Sequence, residues 1–409
     1  MAIDSDFAGF ALGEISDMSS LNALLDAIQA EQNEGRESVL ATVVKVEGSA
    51  YRRPGARMLV SQYGRPEGTI SGGCLEADVV RKAWWLSESG PVIRSYSTAE
   101  ATDEEGGEES LGFGLGCNGK VYVLFERIPV AKQCAVLDAL RKVRNNQRPV
   151  AIATVIAGSR NSRADVGDRV FLESGAAPFG GLYHPALNER ITADLRLTLD
   201  QQKSTRQRYT EGYAEVEVFL EYVAPPPRLM IFGAGHDAQP LVRIAKILGW
   251  HVTVVDSRPH FARPERFPEA DRVLSADIGG PFEFRKFVEG ACVAVMSHSL
   301  SQDAHWLKGA LQGNPRYIGQ LGPRDRTERL LDEITRQTNS LPALDRLHYP
   351  MGLDLGGDTP ESVAMAVLGE MQAVLNGRAG GSLKLRTSTI HETGQLEPRC
   401  SRELSMAES

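Results

Sequence analysis

RLMIFGAGHDAQPLVRIAKILGWHVTVVD, residues 228–256, decides the fold of the C-terminal half of this chain. Residues 229–232 form an apolar run that ends in Gly233-Ala234-Gly235. Leu241, Ala245 and Leu248 then recur on one helical face, and Gly249 is suited to stop that helix in a left-handed conformation. A second apolar run, 252–255, ends in Asp256. The spacing predicts a strand–turn–helix–strand unit, the context that gives a glycine pattern meaning. Gly233 allows the tight turn, Gly235 lets backbone approach a phosphate, and Ala238 takes the third small position, where helix and strand pack closely. His236 lies in the same turn, whose free N–H groups face an anion. Asp256, 23 residues past Gly233, stands where an acid meets a ribose hydroxyl. Arg258 either balances that acid, meets a 2′-phosphate, or is solvated. A doubly wound, Rossmann-like α/β domain follows; a bound nucleotide is a separate matter, because fold does not fix function.

The full length of 409 residues leaves room for two or three domains with sizeable cores. The formal net charge of −8 argues against non-specific nucleic-acid binding. The first 30 residues hold no Lys or Arg, so no signal peptide is visible. No apolar run approaches the ~18 residues of a membrane helix. Five widely spaced cysteines do not suggest a disulfide framework. A cytoplasmic protein is expected, with no membrane partner, forming a homo-oligomer.

Working outward, residues 1–18 are acidic and expected to be disordered. Leu21, Leu24, Leu25 and Ile28 predict a first helix capped by Ser19 or Ser20. Residues 39–46 read as a strand, 57–61 and 68–70 as a strand pair about the turn 62–66, and 121–126 as another strand. Leu75, Val79, Ala83 and Leu86 mark a second helix, and 103–110 an acidic loop. An N-terminal mixed α/β domain is thus expected over 19–130. A connecting α/β region over 131–224 carries a helix at 131–144 and strands at 150–156 and 214–222. Pro225-Pro226-Pro227 is a stiff boundary. The Rossmann-like domain spans 228–378, with later strands at 292–296 and 317–321 and a closing helix at 359–376, and 379–409 is a tail. No internal repeat is evident.

Three segments besides the phosphate loop have chemical character. Ser71-Gly72-Gly73-Cys74-Leu75-Glu76 runs from a strand into a helix. A cysteine at a helix N-terminus has a lowered pKa, and the glycines free the backbone to approach a ligand; the alternative is a small buried cysteine at a tight turn. LGFGLGCNGK, residues 111–120, sets Cys117 among four glycines, either for a ligand or to relieve crowding. The loop 48–57 carries Arg52, Arg53 and Arg57 among glycines, suited to bidentate capture of phosphate or carboxylate, or else ordinary surface charge. His298 follows a strand at the edge where such sheets bind ligands, and Asp303 is placed to orient it; a structural histidine is the alternative. No CxxC, HExxH, GxSxG or Walker P-loop is present, so no metal site built from the chain itself is expected.

These segments converge. ATVVKVEGSAYRRPGARMLV, GTISGGCLEADV and GLGCNGKVYVLFE in the first half, and FGAGHDAQPL, VTVVDSRPHFA, VMSHSLSQD, YIGQLGPR and MGLDLGGDTPESVA in the second, resemble the XdhC/CoxI family, the maturation factors of xanthine dehydrogenase and carbon monoxide dehydrogenase. Asn118 stands where the family often has glycine and Pro323 where serine is usual. The resemblance implies a chaperone that binds the molybdenum cofactor, as molybdopterin or its dinucleotide. It would protect the cofactor while a cysteine desulfurase supplies sulfur, and assist insertion into an apo molybdenum hydroxylase of the xanthine dehydrogenase type. Candidate cofactor-binding residues are Gly233, Gly235, His236, Asp256, Arg258, Arg52, Arg53, Gly72, Gly73, Cys74, Cys117 and His298. Cys74 and Cys117 are the candidate thiols, and no residue is assigned as catalytic. The alternative is an NAD(P)-dependent oxidoreductase that uses the Rossmann half.

Overall fold

The computed structural model describes residues 18–48, 50–73, 75–97, 119–130, 134–338 and 344–386. The chain divides into two compact units, with the division between Pro226 and Pro227 inside the triple-proline run. The acidic loop 103–110 and most of the Cys117 loop lie outside the described residues.

The first unit begins with α1 (Met18–Asn33). This helix starts before Ser19 and Ser20, which therefore sit inside it and do not cap it. Next come β1 (Ser38–Glu47), β2 (Arg57–Ser61), β3 (Pro66–Gly68), α2 (Glu76–Leu86), β4 (Val92–Ser97) and β5 (Lys120–Ile128). The partner of β2 is residues 66–68, ahead of the expected 68–70, because Arg65 N–H and Gly64 N–H close a tighter turn on Ser61. After α3 (Ala135–Asn146), the chain forms β6 (Val150–Gly158), β7 (Arg169–Glu173), β8 (Phe179–Gly180), α4 (Pro185–Gln201), β9 (Thr205–Glu211) and β10 (Ala214–Val223). Two five-stranded antiparallel sheets result, ordered β3-β2-β1-β5-β4 and β8-β7-β6-β10-β9.

The two sheets share one strand order and one succession of elements. A constant shift of 112 residues carries β1 onto β6, β2 onto β7 and β3 onto β8. It carries Ala41-Thr42-Val43 to Ala153-Thr154-Val155, Gly55 to Gly167, Arg57 to Arg169, Gly68 to Gly180 and Leu75 to Leu187. Gly55 donates to the Val43 carbonyl at 2.7 Å, and Gly167 to that of Val155 at 3.0 Å. The unit is therefore an internal duplication. The expectation of no repeat is corrected here. So is the division at residue 130, because side chains from both halves form one core. Alternation explains that core. Val39, Ala41 and Val43 face α2, and Ala151, Ala153 and Val155 face α4, each in its own module's core. Leu40, Leu59, Ile152 and Phe171 point the other way and meet, with α1 and α3, in a shared core.

Two buried ion pairs lock the halves together. Arg57 grips Glu221 through Nη1 (2.8 Å) and Nη2 (2.6 Å), and Arg169 grips Glu126 at the same two distances. Arg57 and Arg169 are equivalent by the 112-residue shift, so the pairs are reciprocal. All four side chains are at most 11 % exposed.

The second unit is a six-stranded, all-parallel sheet of β11 (Arg228–Phe232), β12 (His251–Asp256), β13 (Arg272–Ser275), β14 (Cys292–Val295), β15 (Tyr317–Gln320) and β16 (Leu347–His348). Helices α5 (Ala238–Ile247), α6 (Phe284–Val288), α7 (Leu300–Gln312), α8 (Arg324–Thr338) and α9 (Pro360–Leu375) accompany it. The order β13-β12-β11-β14-β15-β16 is the 3-2-1-4-5-6 order of a Rossmann sheet. The fully buried β14 reads as a continuous apolar run, as a sheet covered on both faces requires, and β12 is buried from Val252 to Asp256. Gly249 ends α5 at φ +76°, as expected, although Leu248 is 41 % exposed and lies off the buried face. Thr359 caps α9 by accepting from the Ser362 N–H. Among the described residues, no helix is long and apolar enough to cross a membrane.

Candidate functional site

In the first unit the arginine loop and the Gly-Gly-Cys turn come together. A Cβ built on Gly72 would lie 2.7 Å from Tyr51 ring carbons, and Gly72 holds φ +84°. Only glycine fits there. Tyr51 is 72 % exposed, so its ring lies on the turn with much of its surface facing solvent. Gly73, at φ +118°, has nothing among the described residues within 4 Å of where a Cβ would be, so none of them covers the backbone there. Arg52 is half-buried and Arg53 exposed. Arg57 is committed to Glu221, so of the three arginines in this loop it is a lock between modules and is removed from the ligand-capture set. Cys74 and Cys117 lie outside the described residues.

What builds the turn is Glu76, which sequence reasoning left unassigned. Its Oε1 accepts from the Thr69 hydroxyl (2.5 Å) and the amides of Ile70 (3.1 Å) and Ser71 (2.9 Å). Its Oε2 accepts from the Ser71 hydroxyl and the amides of Gly73 (2.9 Å) and Leu75 (3.1 Å). Burial pushes this carboxyl up, but the Ser71 and Thr69 hydroxyls and the backbone amides outweigh it and hold the group down at about 2. The amides on both sides of Cys74 are therefore spent on a carboxylate from the next turn of helix. The second module shows which of these residues serve the scaffold. Shifted by 112, Glu76 becomes Asn188, which keeps one bond, from the Leu182 N–H at 2.9 Å. Gly72-Gly73 become His184-Pro185, and Tyr51-Arg52-Arg53 become Arg163-Ala164-Asp165. The shared Gly55, Arg57 and Gly68 maintain the module; the residues gathered around Cys74 occur in the first copy alone.

In the second unit the glycine loop sits at the switch point, where β11 and β14 are neighbours and their connections diverge. Gly233 has φ +120°, and a Cβ there would meet the Met296 carbonyl at 2.5 Å. Among the described residues the amides of Gly235 and His236 donate to no protein group. A Cβ on Gly235 would run into the Asp237 carboxylate and lie 3.8 Å from the His298 ring. Asp237 meets His298 Nε2 at 2.7 Å, and His298 adopts φ +61° with its side chain 62 % exposed. Asp303 does not orient His298, contrary to expectation. It is fully buried and binds Ser297 N–H (3.0 Å), the Ser297 hydroxyl, Gln320 Nε2 (3.0 Å) and Arg326 (2.8 Å), tying the ends of β14 and β15 to α7 and α8. Left-handed backbone at His298 turns its ring away from Asp303 and toward Asp237.

Asp256 is also fully buried. Oδ2 accepts from the Ala234 N–H at 2.7 Å, and Arg258 closes a fork through Nε (2.9 Å) and Nη2 (2.8 Å). Burial raises its pKa, but the Arg258 guanidinium and the Ala234 and Arg258 amides together bring it below the usual range. Glu370, another residue the sequence did not single out, pins the motif loop after β16. It accepts from the Tyr317 hydroxyl (2.6 Å) and the Gly352 N–H (2.7 Å) and meets His348 Nδ1 at 3.0 Å.

Gly235→Val is expected to displace Asp237 from His298 and to cover the free amides. Anion binding at this loop, read by calorimetric titration with inorganic pyrophosphate, should fall at least tenfold, with stability changed by no more than about 1–3 kcal/mol. Parental affinity in the folded variant removes the loop from the site.

Two family models match the chain: the XdhC and CoxI family over residues 32–97, and the XdhC Rossmann domain over residues 229–371. A relative in Bacillus subtilis, named as a probable component of xanthine dehydrogenase, is 32% identical over 357 residues, covering 87% of this chain and 97% of that protein. The molybdenum cofactor insertion chaperone PaoD of Escherichia coli is 23% identical, covering 83% of this chain and 84% of its own. A crystal structure of a xanthine dehydrogenase from Bacillus halodurans, 29% identical, superposes with a TM-score of 0.66 over 88% of this chain and 97% of that one. Family models match in both units, and the Bacillus subtilis relative is matched along nearly its whole length, so this chain belongs to the XdhC and CoxI family.

Proposed function

We propose that this chain is a molybdenum-cofactor chaperone: it binds the cofactor, shields it while a cysteine desulfurase supplies the terminal sulfur, and assists its insertion into a xanthine dehydrogenase-type apo-enzyme. The reading is supported by the likeness to a molybdenum cofactor insertion chaperone. The structural observation that carries it is the contact of Tyr51 with Gly72, which joins the Arg52-Arg53 loop to the turn that leads into Cys74.

The residues fit such a group. A flat pterin suits an exposed tyrosine ring, and its phosphate suits arginines. Among the described residues nothing blocks a bulky group beside the Gly73 backbone. When bound, the cofactor would supply the dithiolene-held metal, and the chain would contribute orientation and exclusion of water. Cys74 and Cys117 are the thiols assigned to the metal end. The two described cysteines are poor candidates: burial pushes the Cys134 thiol up, and that of Cys292 to about 12. An oxidoreductase built on the second unit alone would leave the exposed Tyr51 ring on the Gly72 turn without a task.

The test is purification of the full chain from a host that makes the cofactor, with pterin fluorescence after oxidation and molybdenum by mass spectrometry. Near-stoichiometric pterin is expected, and Cys74→Ala with Cys117→Ala should reduce the retained sulfurated form at least about tenfold, as for loss of a ligand-contacting group worth ~1.4 kcal/mol. Cys292→Ala serves as the control. Absence of pterin overturns the reading; parental retention by the double variant removes the thiols from it.

A further inference from the structure

The end of β12 is where a Rossmann site reads the far ribose of a dinucleotide, and the choice lies between an acid for a free 2′-hydroxyl and an arginine for a 2′-phosphate. Both residue types are present here, so spacing alone does not choose. The geometry does. Asp256 is fully buried, one oxygen is taken by the Ala234 amide, and the guanidinium of Arg258 forks across both oxygens. A sugar diol would have to displace a charge-assisted fork to reach it. What remains at the surface is cationic and aromatic. The Arg258 side chain is 33 % exposed and its guanidinium carbon lies 4.0 Å from the Phe261 ring centre. Arg266 approaches the same ring at 4.7 Å, and its Nη2 is buried with no hydrogen-bond partner among the described residues. The loop that carries them is fastened to the start of α5, because Gln239 Nε2 donates to the Arg266 carbonyl at 3.3 Å. The ledge therefore adjoins the glycine loop.

We propose that Arg258, Phe261 and Arg266 form a subsite for a phosphorylated ribose, so that the second unit binds 2′-phosphorylated adenine dinucleotides in preference to their unphosphorylated counterparts. Asp256 is then a positioning residue: it holds the arginine and the glycine loop in register and does not touch the ligand. Phe261 lies against both guanidiniums and fixes where they stand. This goes beyond the chaperone reading and does not rest on it, because it concerns a ligand of the second unit alone.

The experiment is titration of the full chain, freed of endogenous ligand, with NADPH and with NADH, followed by nicotinamide fluorescence. NADPH is expected to bind at least about tenfold more tightly, the worth of one charge-assisted hydrogen bond to a phosphate. Arg258→Ala and Arg266→Gln should each reduce that ratio several-fold while NADH affinity changes little. Asp256→Asn is the discriminating variant, since it keeps the bulk of the side chain and leaves the arginine present: the NADPH preference should survive. Equal affinities, tighter NADH, binding of neither nucleotide, or a selective loss of NADH binding in Asp256→Asn would each overturn the proposal. Pterin retention by the same preparation is read separately, so failure here is distinct from failure of the chaperone reading.

Discussion

Arg169→Met is expected to destabilise the first unit by about 3–5 kcal/mol, because it strands the Glu126 carboxylate in the shared interior of the two modules. Glu126 is 9 % exposed, and the variant removes both of its arginine bonds. The double variant Arg169→Met, Glu126→Leu should recover most of that loss, since apolar replacement of a whole buried pair is often neutral or better. Arg57→Met should behave like Arg169→Met, because Arg57 makes the equivalent bonds to Glu221 at the same distances. Hydrogen exchange at β5 and β7 amides reads the opening free energy of this unit separately from the Rossmann sheet. A single variant as stable as the parent, or a double variant as unstable as the single, would show that the pairs do not lock the modules.

Glu76→Gln is expected to cost about 2–4 kcal/mol and to dissolve the turn before α2. The carboxylate accepts six hydrogen bonds, and an amide nitrogen in place of either oxygen would face three donors. The pH dependence has a definite sign. The folded pKa of about 2 lies below the ordinary 4.5, so the stabilisation is fully present above about pH 4.5 and is lost as pH falls toward 2. The gap between parent and variant, measured by urea unfolding, should therefore be largest near neutrality and close as pH falls to about 2. The Gly73 and Leu75 amides should exchange faster in the variant at neutral pH. A pH-independent gap would mean that the carboxylate charge does not organise the turn.

The C-terminal half was legible in the sequence because its signals are local. An apolar run, a glycine turn, an amphipathic helix and a second run are dictated by neighbours within about 30 residues, and β11, α5 and β12 stand where 228–256 puts them. The motif order likewise pointed to the family. The duplication escaped because few identities survive at the 112-residue shift. Burial constrains the polarity and size of a core position more than its identity, so Leu40 and Ile152, or Val79 and Ile191, do equivalent work with different letters. A self-comparison weighted on Ala41-Thr42-Val43, Gly55, Arg57 and Gly68 carries the missing signal.

The sequence by itself determined the residue types at the site: glycines where backbone must come close, arginines for an anion, an acid at the end of β12. Tertiary structure alone decided which of those charges are consumed inside the fold. Arg57 and Asp256 carry the same chemical groups as their neighbours, but Arg57 is spent on Glu221, 164 residues away, and Asp256 on Arg258 and the Ala234 amide. Likewise His298 turns to Asp237, while Asp303 is consumed by Ser297, Gln320 and Arg326. A charge that is satisfied inside the fold and one that awaits a partner have the same letter in the sequence; burial and the geometry of long-range neighbours distinguish them.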